Sequence, residues 1–166
     1  MSRIVGPIAF MLALIGVALG WQMILPVQAT RDTAPPFAVH TLEGHPLRLT
    51  DLRGRPVVIE FWATWSGPSR TGLQRLNALQ ERYGGRGLMV LGLSVDEAPP
   101  QTVQASAARL GVRFPLAIAD EGILDDYGPI RSVPTTFLIS RGGRILRRIV
   151  GYVDEETLEG FIREIL

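Results

Sequence analysis

The sequence predicts an α/β domain: a mixed central sheet with helices on both faces. Three observations predict it. Two nearly continuous apolar runs, "PVVIEFW" (Pro56–Trp62) and "GLMVLGLSV" (Gly87–Val95), have the signature of strands buried on both faces. Between them Leu73, Leu76, Leu79 or Gln80, and Tyr83 recur on one helical face. Parallel crossovers then give way to an antiparallel hairpin and a closing helix, which is the order of a mixed sheet.

The N-terminus comes first. After Met1-Ser2-Arg3 an uncharged apolar run begins at Ile4. Ile4 to Leu25 is about 22 residues, roughly 33 Å as a helix, which matches a hydrocarbon core of about 30 Å. Trp21 suits an interfacial aromatic, and Arg3 with the amino terminus suits a cytoplasmic start. Residues 1–25 therefore read as a single-pass transmembrane anchor, with membrane contact through residues 4–25. The rival is a signal peptide cleaved after Ala29, because "VQA" has the small-x-small form of a cleavage site. Signals usually carry an apolar stretch of about 7–15 residues, and this run is longer. Either way the body is exported, to the periplasm or another extracytoplasmic space. Residues 26–36, "PVQATRDTAPP", read as a linker, its prolines and small polar residues disfavouring helix and sheet.

In the body, residues 37–166, "FAVHTLEGHPLRL" reads as two short strands about a turn at Glu43-Gly44, and "DLRG" as a further turn. The first long helix runs from Gly67 to Tyr83 and stops at Gly84-Gly85. "PPQTVQASAARLG" is a second helix, opened by prolines and closed by Gly111. "FPLAIAD" is a third buried strand, and "TTFLIS", "RGG" and "RILRRIV" form a hairpin. The last helix has Asp154 as N-cap, Glu155 and Glu156 in its first turn, and Leu158, Phe161, Ile162 and Ile165 on one stripe.

Composition excludes several function classes. The chain has 166 residues, and a formal net charge of +1 argues against a nucleic-acid-binding surface. All 17 basic residues are arginine, which a GC-rich coding sequence explains most simply. There is no cysteine, which removes disulfides, thiolate nucleophiles, Cys-ligated zinc and iron–sulfur clusters together. No cofactor and no metal are expected.

Several segments fit together over roughly Ala34 to Leu166: "LRGRPVVIEFWATWSGPSR", "GLSVDE", "FPLAIADE" and "YGPIRSVPTTFLISRGGRI" with the helix that follows. This pattern resembles the thioredoxin fold, and within it the membrane-anchored TlpA/ResA-type branch with its inserted helix and strand. The resemblance implies an extracytoplasmic thiol–disulfide oxidoreductase, often a reductant for cytochrome c maturation or other periplasmic thiols. The family's Trp-Cys-Gly-Pro-Cys is Trp65-Ser66-Gly67-Pro68-Ser69 in this chain.

Two hydroxyls cannot do what two thiols do. A thiol starts at a pKa of about 8.5, and a helix N-terminus can lower it by several units. A hydroxyl starts close to water, so a comparable shift leaves it protonated at neutral pH. Nor can two hydroxyls close a reversible two-electron bond, or Ser66 form a mixed disulfide. Hydrolysis by Ser66 would need a base and an oxyanion hole, yet His40 and His45 flank a hairpin turn and read as surface residues. The simplest reading makes Ser66 a helix N-cap and Ser69 an inert residue of the first turn.

The resemblance carries three further expectations. Glu60 matches the carboxylate that assists proton transfer at the second cysteine. It is either buried, with its pKa raised by desolvation, or at a sheet position open to water, and the resemblance favours burial. Pro134 in "SVPTTF" matches the cis-proline loop. Trp65, Gly67, Pro68, Val133 and Pro134 would then form a groove for an extended peptide. The hairpin arginines Arg141, Arg144, Arg147 and Arg148 read as guards of an edge strand.

Two functions follow. One is a membrane-anchored protein that has lost dithiol chemistry and acts by binding, as an accessory or structural subunit of a membrane complex. The other is an oxidoreductase of the TlpA/ResA type with both active-site cysteines changed to serine.

Overall fold

The computed structural model describes residues 33–166. The expected anchor and most of the expected linker lie outside the described residues. Among the described residues no helix is long and apolar enough to cross a membrane.

A five-stranded sheet organises the body. Its strands are β3 (Val57–Trp62), β4 (Met89–Ser94), β5 (Leu116–Ile118), β6 (Thr135–Ile139) and β7 (Ile145–Val150), following the small hairpin of β1 (Ala38–His40) and β2 (Pro46–Arg48). The spatial order is β5-β4-β3-β6-β7. β3 runs parallel to β4 and antiparallel to β6, so the sheet is mixed, as the order of elements predicts. It is also the central strand, and all six of its residues are buried.

Pleating sorts those residues to two sides. Val58 and Trp62 join one core with Leu73, Leu76 and Leu79 of α1 (Gly67–Tyr83) and Leu158 and Ile162 of α4 (Glu155–Ile165). Val57, Ile59 and Phe61 join the other with Leu91, Leu93, Phe137 and Tyr127. Glu60 shares the parity of Val58 and Trp62, which puts a carboxyl group on the face that α1 covers.

Sequence signals set the helix boundaries. Ser66 caps α1 by accepting from Ser69 N, and Asp154 caps α4 by accepting from Thr157 N at 2.8 Å. α2 (Pro100–Arg109) opens on proline, and Gly111 beyond its end sits at φ +70°, where glycine carries no Cβ penalty. At the far end of α1, Glu159 accepts from Tyr83 Oη and pairs with Arg82 and Arg163, each at 3.0 Å, which fastens α1 to α4.

Four details differ from the sequence reading. A short helix, α3 (Glu121–Asp126), follows β5, capped by Asp120 accepting from Ile123 N. At six residues it is too short to show a period. The "DLRG" turn begins as a 3₁₀ turn over Leu49–Leu52. Leu79, not Gln80, completes the buried stripe, because the Gln80 amide is used on the backbone of β4: Oε1 accepts from Val90 N at 2.7 Å. Finally, the folded body takes in the end of the linker. Thr33 bridges to Arg144, Ala34 N donates to Gly143 O at 2.8 Å, and Pro35 O accepts from Tyr127 Oη at 3.0 Å.

Gly92 on β4 has no room for a side chain. A Cβ there would collide with Leu116 Cδ2 and lie 3.2 Å from Trp62 Nε1. We predict that Gly92→Ala destabilises the domain by about 1–3 kcal/mol. The urea midpoint should fall at an unchanged m value.

Candidate functional site

The site lies where β3 ends and α1 begins. The connecting turn is held from below by β4. Asp96 is buried and accepts from Thr64 N at 2.9 Å, from Thr64 Oγ1 at 2.6 Å and from Ser94 Oγ at 2.7 Å. Val95 N donates to Trp62 O at 2.9 Å. This clamp was not read from the sequence, although an acid directly after a buried strand in "LSVDE" was a signal for it.

The turn presents Trp65, 71% exposed, and then Ser66, which is buried. The Ser66 hydroxyl accepts from Ser69 N at 3.2 Å and donates to Val133 O at 3.3 Å. It thus caps α1 and also ties the helix to the loop across the site. The Val133–Pro134 peptide is cis, and Pro134 O accepts from Gly151 N at 2.8 Å. Gly67 and Pro68 form the first turn of α1 beside it. The structure therefore brings Trp65, Ser66, Gly67, Pro68, Val133 and Pro134 to one mouth. It also shows that the carbonyl of Val133, a residue expected to line the peptide groove, already accepts from the Ser66 hydroxyl. His40 and His45 are exposed on the β1–β2 hairpin, and the hydroxyl of Ser66 engages backbone groups, not a base.

Ser69 corrects the sequence reading. It is fully buried, and its Oγ has no hydrogen-bond partner among the described residues. Leaving a buried hydroxyl unpaired costs about 1–3 kcal/mol, whereas a thiol is only a weak donor and acceptor. A hydroxyl at this position therefore costs more than a group with weaker hydrogen-bonding demands.

On the face of β3 that α1 covers lies Glu60, with no exposed surface. Its Oε2 accepts from Thr136 Oγ1 at 3.2 Å and from Arg75 Nη2 at 3.3 Å. Its Oε1 has no partner among the described residues. Burial pushes the Glu60 carboxyl up to about 7, opposed by the Arg75 guanidinium and the Thr136 hydroxyl. The room for Glu60 comes from Gly72, where a Cβ would sit 2.6 Å from Oε1.

Arg75 is the second residue missed by sequence reasoning. It lies on the inner face of α1, one turn after Gly72, and is buried. Besides pairing with Glu60 it donates through Nη1 to Val153 O and lies 5.0 Å from the ring centre of Tyr152. The signal was a charge among Gly72, Leu76 and Leu79 on the buried stripe. The hairpin arginines are engaged. Arg147 pairs with Glu164 at 2.6 Å, Arg148 donates to Pro129 O at 2.9 Å, and Arg141 donates to Leu166 O at 2.8 Å.

The AhpC/TSA family pattern matches residues 30–148, most of the chain. The chain belongs to the AhpC/TSA family. Among curated relatives, the thiol-disulfide oxidoreductase ResA of Bacillus anthracis is 36% identical over 134 residues, covering 80% of this chain and 76% of its own. The ResA protein of Geobacillus thermodenitrificans is 36% identical over 138 residues, covering 82% and 78%. Among solved structures, a protein of Chlorobium tepidum assigned as thiol:disulfide interchange protein DsbE superposes with a TM-score of 0.75 at 31% identity. It covers 84% of this chain and 99% of its own. The fold is the α/β thioredoxin fold, and the homologues in this AhpC/TSA chain's neighbourhood are thiol–disulfide oxidoreductases.

Two predictions follow from the buried pair of polar residues. Because the folded-state pKa of Glu60 is raised, the native state binds the extra proton between pH 4.5 and about 7, and stability falls as pH rises through that window. Glu60→Gln should flatten this fall, which amounts to a few kcal/mol, in urea titrations run at several pH values. Ser69→Ala should raise stability by about 1–2 kcal/mol by removing the unpaired hydroxyl. The thermal midpoint checks it.

Proposed function

We propose that this chain is a ResA-type redox scaffold without its redox atoms, acting by contact through the mouth at Trp65, Ser66, Gly67, Pro68, Val133 and cis-Pro134. The observation that carries this reading is the Ser66 hydroxyl. It stands where the family places its first thiol and closes onto Val133 O and Ser69 N, and an oxygen there, in a chain without cysteine, cannot form a disulfide. On this reading the partner is a protein, met as an extended peptide or as part of a membrane complex. The apolar run of residues 4–25, with Arg3 before it, supports a single-pass anchor with a cytoplasmic N-terminus and an extracytoplasmic domain.

A second reading is favoured by specific observations: an oxidoreductase whose two cysteines have been exchanged for serine. The relatives are named as oxidoreductases, so likeness supports this reading more directly than a binding role. Glu60 remains protonatable near neutral pH, Gly72 still makes room for it, and the Ser69 hydroxyl has no hydrogen-bond partner among the described residues. On this reading the cysteine form would serve cytochrome c maturation or periplasmic thiols, as the family resemblance implies.

One experiment separates the two. The present chain should give no reduction of insulin disulfides above the protein-free blank. The Ser66→Cys/Ser69→Cys double variant should reduce insulin at a rate well above that blank if the rest of the machinery is intact. Such a gain supports the second reading, and reading codons 66 and 69 in the encoding gene then decides it. A folded double variant that stays at the blank supports the scaffold reading. Turnover by the serine form would reject that scaffold reading.

A further inference from the structure

We propose that the base of the domain, at the end of the sheet remote from Ser66, is a contact surface for anionic lipid headgroups. The proposal rests on the anchoring reading given above. Four arginines gather there: Arg55, Arg86 and Arg141 about Gly87, and Arg53 on the wall of the adjoining cleft. Arg55 Nε donates to Gly87 O at 3.1 Å, Arg141 Nη2 donates to Arg86 O at 3.3 Å, and Arg141 Nη1 donates to Gly54 O at 3.2 Å, beside Arg53. The Arg55 acceptors are main-chain carbonyls, which orient its guanidinium without neutralising it, whereas Arg141 also donates to Leu166 O at 2.8 Å. Arg53 and Arg86 are exposed. The one carboxylate in the adjoining 3₁₀ turn is Asp51.

The overall charge of +1 conceals this patch. Acidic side chains collect elsewhere, on α3 and its cap (Asp120, Glu121, Asp125, Asp126) and on α4, where Glu155 and Glu159 pair with Arg82. A second observation coincides with the arginines. An apolar cleft of about 100 Å³ opens on this face, lined by Ala34, Leu49, Leu52, Val57 and Ile139, with Arg53, Arg55 and Arg141 also on its wall. An apolar hollow beside guanidinium groups matches the boundary between phosphate headgroups and acyl chains.

The path of the chain points the same way. Thr33 and Ala34 join the body at Gly143 and Arg144, on this face. Leu25, the end of the apolar run, precedes Thr33 by eight residues, which span at most about 28 Å. The base is thus tethered close to the bilayer, where each arginine gains roughly fivefold in affinity for an anionic surface. β3 separates the base from the mouth by six residues, about 20 Å. A base seated on lipid turns Trp65 and cis-Pro134 away from the membrane.

The absence of cysteine makes the test simple, because single labelling sites can be introduced at will. The full chain is reconstituted in nanodiscs of phosphatidylcholine alone or of phosphatidylcholine with equal phosphatidylglycerol. A fluorophore is placed on Gly142→Cys at the base or on Thr71→Cys beside the mouth, and quenching by headgroup-nitroxide lipid is read. Quenching at position 142 should be severalfold stronger in the anionic discs and weak at position 71 in both. Arg53→Glu with Arg86→Glu, or high salt on the unaltered surface, should remove the difference, at a cost of tenfold or more in affinity. Equal quenching at position 142 in the two lipids, the result if the chain's own residues before Thr33 fill the cleft, overturns the proposal. Stronger quenching at position 71 overturns it too. A chain that never co-elutes with discs rejects the anchoring reading, and this inference falls with it.

Discussion

A carboxyl group without any exposed surface, at the middle of the central strand, governs how this domain is assembled. Burying Glu60 in either charge state is expensive unless its surroundings are built around it. They are: a glycine on α1 leaves the space, Arg75 supplies the opposing charge, and Thr136 from β6 supplies a hydrogen bond. Through Arg75 the constraint reaches Val153, and so the start of α4. One side chain on β3 is thereby linked, directly or through Arg75, to a helix, a neighbouring strand and a distant loop.

The same arrangement explains what the two serines leave behind. Ser66 is accommodated, since an N-cap hydroxyl has an N–H to accept and a carbonyl to donate to. Ser69 is not, since it is fully buried in the first turn of α1 and its hydroxyl has no hydrogen-bond partner among the described residues. Position 66 tolerates oxygen and position 69 resents it. That asymmetry is a property of the scaffold: one hydroxyl is paired twice and the other not at all among the described residues.

Most of the fold was readable because its signals are local. The buried run Pro56–Trp62, the stripe of α1, the proline opening α2 and the Asp154 cap each depend on a few adjacent residues. What escaped was set at a distance. α3 is held by a single cap and one buried isoleucine, too little for a period. Arg75 disrupts an apolar stripe and reads as an exception until Glu60, fifteen positions earlier, is brought opposite it. Asp96 looks like an ordinary loop acid until β4 is laid beside β3. The unpaired state of Ser69 has no sequence signature at all, because it is a statement about missing neighbours.

Asp96 has a thermodynamic consequence for whatever meets the mouth. Its grip on both the amide and the hydroxyl of Thr64 fixes the turn that carries Trp65 before anything arrives. A visitor to that surface therefore finds a receptor whose backbone freedom was surrendered during folding, and little further ordering is demanded of it on contact.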